Sequence, residues 1–247
     1  MTSAKREYPS RSYLHVLATV LGCSPISMSF ADDAPVDFTG IWMPTQIGPD
    51  GERNQVFPEA LPFLPEVQAR NEEFLADFDH EVDDSRRSCL PYGMPRQMLT
   101  VAQYPTEIIQ TEDRITILVE LHNDVRRIYI DGRAPPDGLR PTWMGYSLGR
   151  WEGESLVVTT TDIREQGLPR PQSRDLTLQE RFTLIEGQAG PMIELEITHE
   201  DPRVYSRPFT LKTYYRQYEG LEMGEYFCNE DVWRLNLDGN PSELPWR

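Results

Sequence analysis

The chain has 247 residues and a formal net charge of −16, with 40 acidic side chains against 24 basic ones. Nucleic acid and anionic membrane surfaces bind through basic patches, and no basic run occurs in the body of the chain, so neither is expected as a partner. A composition 38% hydrophobic and 10% aromatic over this length is enough for one sizeable core.

Residues 1–31 read as a signal peptide rather than as part of the fold. Lys5, Arg6 and Arg11 form a charged start, and Tyr13 to Gly22 is an apolar run too short to span a bilayer. Two processing readings stand side by side. Ser29-Phe30-Ala31 offers the small residues of a cleavage site and starts the mature chain at Asp32. Val20-Leu21-Gly22-Cys23 resembles a bacterial lipobox, which would leave the protein lipid-anchored through Cys23. Removing 1–31 takes away three cations and one anion, which moves the charge from −16 to −18. Both readings export the protein, and the expected location is a periplasm. With Cys23 lost or lipidated, Cys89 and Cys228 remain. In an oxidising compartment they are expected to form a disulfide; the competing reading is a catalytic thiol.

The mature chain, 32–247, reads as a single domain. It opens with Asp37-Phe38-Thr39-Gly40-Ile41-Trp42, where a Trp sits near a first strand. Residues 44–64 are rich in Pro and Gly and read as an irregular loop. Pro65 to Phe78 is the one good helix: Pro65 suits a first turn, Glu66 suits the N-terminal dipole, and Val67, Phe74, Leu75 and Phe78 give a partial apolar stripe. Residues 79–87 are charged, and Cys89 to Pro95 is a turn-rich knot.

From Met98 the pattern becomes sheet. Strands are expected at 97–103, 106–111, 114–122, 125–131, 144–151, 155–161, 175–185, 191–199, 208–218 and 223–228. Glu112-Asp113, Asn123-Asp124 and Glu152-Gly153 have hairpin-turn chemistry. Short connections with little intervening helix predict antiparallel meander pairing in an all-β domain. About ten strands are best accommodated by a barrel or a strongly curved sheet that closes its edges. The residues from 229 onward read as a wrapped extension.

The hairpin of Met144 to Asp162 organises the rest. With a two-residue loop, Trp151, Gly149 and Ser147 share a face with Leu156, Val158 and Thr160, while Tyr146, Leu148 and Arg150 share the other with Val157 and Thr159. A three-residue loop would exchange the two sets, because register has period two.

Gly40-Ile41-Trp42 is similar to the Gly-x-Trp of the lipocalins and wider calycin barrels. That resemblance implies a calycin-like barrel, with Trp42 plugging one end against an Arg from a late strand, Arg216 or Arg234. The chain also resembles a family of exported bacterial proteins. The stretches that carry this are D-F-T-G-I-W, R-S-C-L-P-Y-G-M-P, D-G-R-A-P-P, M-G-Y-S-L-G-R-W-E-G-E-S-L-V-V, L-Q-E-R-F, E-D-P-R-V-Y and E-Y-F-C-N-E, which span about residues 37–230. It implies a β-barrel-like fold and a partnered Cys89 and Cys228, and it brings no settled activity. Members of that family often carry a His after D-G-R and another before S-[DE]-x-L. This chain has Ala134-Pro135 and Gln172-Ser173-Arg174-Asp175 there, so no mechanism resting on those histidines carries over.

Candidate chemistry is sparse. Gly145-Tyr146-Ser147-Leu148-Gly149 matches the nucleophile elbow, but a hairpin follows instead of a helix, which makes it a chance match. His80, His122 and His199 remain after export. No pair has metal-ligand spacing, and no phosphate loop or dinucleotide fingerprint occurs, so no metal and no cofactor is expected. His122 and His199 each end a predicted strand beside carboxylates, as general bases do; surface histidines at strand ends are the commoner case. Glu180 and Arg181 alternate along one strand, so either becomes functional by default if it points into a barrel. The expected site is the open mouth opposite Trp42. Its catalytic or polar groups are Glu120, His122, His199 and Arg181. Tyr129, Trp143, Tyr146, Arg150 and Trp151 are its ligand-binding wall. Two functions follow: a barrel that binds a small apolar or aromatic molecule, or a cofactor-independent lyase, isomerase or hydrolase acting on one.

Overall fold

In the computed structural model, residues 36–78, 89–100 and 104–228 are described. The segment expected as a signal peptide, His80, Arg234 and the extension expected from 229 lie outside the described residues. Nine strands close into one barrel, in chain order around the ring. They are β1 (Gly40–Thr45), β2 (Thr106–Gln110), β3 (Arg114–Val119), β4 (Asp124–Tyr129), β5 (Tyr146–Glu152), β6 (Ser155–Thr161), β7 (Thr177–Gly187), β8 (Gly190–Glu200) and β9 (Phe209–Gln217). Among the described residues two α-helices accompany them, α1 (Pro65–Ala76) and α2 (Arg96–Leu99).

Eight of the nine neighbour pairs are antiparallel and one, β4 with β5, is parallel. Parity demands this. Around a closed ring the number of direction reversals must be even, so nine strands cannot all alternate. The expected purely antiparallel sheet is corrected at this one seam. The long connection from 130 to 145 carries the chain back to start β5 alongside β4, where Ile128 pairs with Ser147 and Tyr129 with Leu148. Each of the nine strands thus has a paired neighbour on both sides, though the β4–β5 seam is only two residue pairs long.

The expected ten strands become nine. The segment expected as a strand at 97–103 contains α2 instead: Gln97, Met98 and Leu99 are good helix formers, and all three are buried against the barrel. The segment at 223–228 makes no ladder. It runs as a strap, held by Gly224 N–H donating to Glu120 at 2.5 Å and by Asn123 Nδ2 donating to the Tyr226 carbonyl. β3 ends at Val119, before a 3-10 turn at Leu121–Asn123 in which His122 and Asn123 both take positive φ. A strand at Gly40–Thr45, absent from the expected ten, closes the ring between β2 and β9. α1 starts at Pro65 as expected, but only Val67 and Asn71 of it are buried, and Leu75 faces water.

The β5–β6 turn has two residues, Gly153-Glu154, flanked by the pair Glu152 and Ser155. Ser147, Gly149, Leu156, Val158 and Thr160 therefore point inward, while Tyr146, Leu148, Arg150 and Thr159 point outward. Two glycines of this motif are required by space. Gly145 has φ +68°, and a Cβ there would lie 2.6 Å from the Thr161 carbonyl. A Cβ on Gly149 would lie 2.9 Å from Ile128 and Ile130, at the parallel seam.

Inside, Ile115, Ile117, Ile128, Leu156, Val158, Leu178, Leu195 and Ile197 form one continuous core. Each such side chain contributes about 1.5–3 kcal/mol on burial. One end of the barrel is closed by the opening D-F-T-G-I-W. Trp42 Nε1 donates to the Phe38 carbonyl at 2.8 Å, and Phe38 stacks on Trp151 with ring centres 5.8 Å apart. The Arg that the calycin likeness implied does not meet Trp42 from β9: the Arg216 guanidinium lies 4.7 Å over the Tyr218 ring. Cys89 and Cys228 form a disulfide, which pins the strap to the knot before α2.

Candidate functional site

Two polar features stand out inside the fold. The first is an ion pair within the barrel. Arg126 on β4 and Glu180 on β7 are each 1% exposed. The Arg126 guanidinium donates to both carboxylate oxygens of Glu180, the Nη1 bond measuring 2.8 Å. It also donates to Thr160 Oγ1 at 3.0 Å and to Ser147 Oγ at 3.2 Å, and Thr160 donates to Glu180. Ser147, the elbow-like serine, is thus a buried strand residue bonded to an Arg and a Thr, without a helix after it. Every member of this cluster is satisfied by another, which suits a structural role.

The second feature is a cavity at the opposite end from Trp42. It holds about 670 Å³, counting the open space at its entrance. Three segments wall it above the start of β9. Loop 57–64 is laid across the β8–β9 connection: Leu64 N–H donates to the Val204 carbonyl, Ser206 N–H to the Pro62 carbonyl, and Phe63 stacks on Tyr205 at 5.2 Å. The knot at 93–99 is held by Met94 N–H donating to the Trp143 carbonyl and by Tyr215 Oη donating to the Met98 carbonyl at 2.6 Å. The 166–176 segment is fixed by buried Asp201, whose carboxylate accepts from Ser173 N and Oγ, both at 2.7 Å. Asp201-Pro202 thereby ties the turn after β8 to the strand entering β7.

The cavity base is buried and apolar, from Leu99, Leu176 and Leu211, with His199 beside them. Phe209, Pro95, Pro171, Leu61 and Tyr205 continue the wall upward, and Phe57 stands exposed at the rim. His199 stacks on Phe209 with ring centres 4.6 Å apart. Its Nδ1 lies 3.1 Å from the Ile197 carbonyl, which can only accept, so the neutral ring carries its proton on Nδ1. Burial drives its pKa down to about 4, against the opposing pull of the Ile197 and Phe209 carbonyls. Burial first, and the nearby Asp201 charge second, push the Tyr205 hydroxyl up to about 12. Arg96 and Arg170 bring the cations, and Gln166 and Gln172 the amides, of the lining.

The sequence-nominated residues divide among five places. His199 lines the cavity. His122 and Glu120 sit at the same end of the barrel, in the β3–β4 turn, but outside the cavity. The His122 ring lies between Tyr92 and Tyr226, 5.1 Å from each, and its pKa is lowered by burial and then by the Arg96 charge. Arg96, which lines the cavity, stands 3.8 Å over the Tyr92 ring, while His122 is not part of the lining. Glu120 anchors the strap. Trp143 holds the knot through its carbonyl, with Arg164 over its ring. Arg150, Arg181, Tyr129 and Tyr146 lie on the outer wall. Arg150 and Arg181 both pair with Glu152 at 2.7 Å, and Tyr129 packs against Tyr146 at 5.3 Å beneath Arg133. Trp151 belongs to the closed end. Alternation explains these outward placements: Glu180 takes the inward position, so its neighbour Arg181 must face out.

Arg126, Arg96, Arg170 and Phe57 were not singled out from sequence, and Gln172 was noted only as standing where the resembled family often carries a His. Arg126 carried the one readable signal, a strand Arg two residues before the inward Ile128. The others are brought in by loops and by the start of α2, whose course no periodicity encodes. Among the described residues, no group of three His, Cys, Asp or Glu is placed to hold a metal ion. No helix among them is long and apolar enough to cross a membrane.

Fold and cavity together define a closed β-barrel stapled by a disulfide, with an apolar pocket at one mouth. Comparison with protein-family models finds no matching family, and comparison with curated proteins finds no significant match.

Proposed function

We propose that this chain is an exported, calycin-like barrel that binds a small apolar or aromatic molecule at its mouth. The observation that carries the reading is the cavity beside His199, with its buried apolar base, aromatic wall and few polar groups. Such composition is typical of small-molecule sites. The lumen itself is filled by packed side chains, so the ligand rests on the barrel, under loop 57–64 and the 166–176 segment. The Cys89–Cys228 disulfide supports an oxidising location, in keeping with the signal-like start. The enzyme reading would rest on His199 and Tyr205, which share the cavity wall. A ring with a pKa near 4 is a weak base at neutral pH, which favours binding over proton-transfer chemistry.

The test is fluorescence titration with the uncharged probe N-phenylnaphthylamine. Wild-type protein should take up the probe saturably at one site. Leu61→Trp, which places an indole in the cavity from the loop side, should weaken uptake about tenfold or more without changing the melting temperature much. Absence of saturable uptake by the wild type would overturn the proposal.

A further inference from the structure

β8 sends one row of side chains inward: Ile193, Leu195, Ile197 and then His199, each at most 4% exposed. An aliphatic residue would continue that row, and the imidazole at its end is the departure. Its hydrogen bonding is half met. Nδ1 donates the ring's one proton to the Ile197 carbonyl at 3.1 Å, so Nε2 keeps a lone pair that only a donor can satisfy. The Phe209 carbonyl, which also pulls on the ring, is another acceptor and leaves that lone pair unmet. Among the described residues no N–H or O–H donates to Nε2. Phe209 covers a face of the imidazole, with ring planes 12° apart, and leaves its edge open. The polar side-chain atoms sealed off without a partner belong, among the described residues, to Asn71, Gln97, Asp124 and Thr213. Nε2 is not one of them and is reached from the cavity that His199 lines.

We infer that the ligand of this cavity is a phenol, an uncharged aromatic molecule whose hydroxyl donates to His199 Nε2 and whose ring lies against the apolar wall. The inference rests on the binding function proposed above and adds the ligand's polar group. In the free protein water can meet the lone pair, so a ligand that displaces the water must replace its bond. A hydrocarbon brings no donor and leaves a buried acceptor unmet, which lowers affinity about tenfold or more. A carboxylate brings only acceptors and sets them against the lone pair. A phenolic hydroxyl is a stronger donor than an aliphatic one. Its flat ring also suits Phe209 and Tyr205, which meet edge to face at 4.7 Å. Burial keeps His199 uncharged at neutral pH, so the acceptor is present there.

The experiment sets naphthol and methylnaphthalene, which share a shape, in competition with N-phenylnaphthylamine. The preference for naphthol over methylnaphthalene should be about tenfold greater in the wild type than in His199→Phe, which keeps a flat ring and removes the acceptor. Taking this ratio on each protein cancels both the probe's own contacts and the different hydrophobicity of the two competitors. A second measurement needs no variant. In proton–nitrogen correlation spectra of protein labelled at histidine, naphthol should move the His199 Nε2 signal toward that of a hydrogen-bonded nitrogen, and methylnaphthalene should not. If His199→Phe does not fold, this spectrum decides alone. A preference that the substitution leaves unchanged, or an Nε2 signal that naphthol leaves in place, overturns the donor assignment while the binding function stands. Tighter binding of the saturated analogue decahydronaphthol than of naphthol overturns the aromatic assignment. Failure of the probe and both naphthalenes to bind the wild type overturns this inference together with the function it rests on.

Discussion

Glu180→Gln isolates the electrostatics of the barrel interior. The substitution preserves shape and one acceptor oxygen but removes the charge that balances Arg126, which donates to both Glu180 oxygens and to the Ser147 and Thr160 hydroxyls. Both charged side chains are essentially inaccessible to water, at 1% and 0% exposure. Breaking a buried pair by removing one partner costs about 3–5 kcal/mol, because the remaining charge stays desolvated and uncompensated. Replacing both partners by apolar groups is far cheaper. In Arg126→Met with Glu180→Leu the hydroxyls of Ser147 and Thr160, 2.9 Å apart, still bond to each other. The double variant should therefore lose only about 1–2 kcal/mol. Urea unfolding followed by tryptophan fluorescence, with the disulfide intact, measures both. A Glu180→Gln loss under about 1 kcal/mol, or a double variant no better than the single one, would refute the claim that this charge is uncompensated once its partner is gone.

Two further predictions concern the frame and the cavity wall. Thiol titration of the denatured, unreduced protein should find neither Cys89 nor Cys228 free, and Cys89→Ser with Cys228→Ser should cost up to about 5 kcal/mol, given a closed loop of 139 residues' separation; two free thiols would contradict the pairing. His199 is held neutral, with its pKa lowered from 6.5 to about 4. The unfolded chain binds a proton there first on acidification, so the contribution is complete above pH 6.5 and is lost as pH falls toward 4. The loss amounts to about 3 kcal/mol, and His199→Gln should flatten the stability profile over that interval. Parallel profiles for the two proteins would show that His199 is not desolvated.

The hairpin from Tyr146 to Thr161 shows how far the sequence reaches. Once its loop has two residues, period-two alternation alone sends Ser147, Thr160 and Val158 inward, and the structure has that register. The same local rules give the helix at Pro65, the hairpin turn after Gln110 and the all-β character. The pairing of Cys89 with Cys228 followed from counting two cysteines behind a signal-like segment. The site was less legible. His199 could be nominated because a strand end before Asp201-Pro202 is a local feature. Whether Arg181 or Glu180 faced the lumen depended on the phase of β7, which no local signal set.

Tertiary structure decided three things. Ring closure fixed the strand number at nine and forced one parallel seam, since parity is a property of the whole circuit and of no single segment. Docking against the barrel turned Arg96–Leu99 into a helix where apolar content alone read as strand. The cavity was assembled from residues 57–61, 95–99, 166–176 and 199–211, which share no period and no motif. The sequence determined which residues could be buried on each strand, because side-chain alternation is local. Only the folded chain determined which loops meet, because loop courses are set by long-range anchors such as Asp201 to Ser173 and Leu64 to Val204.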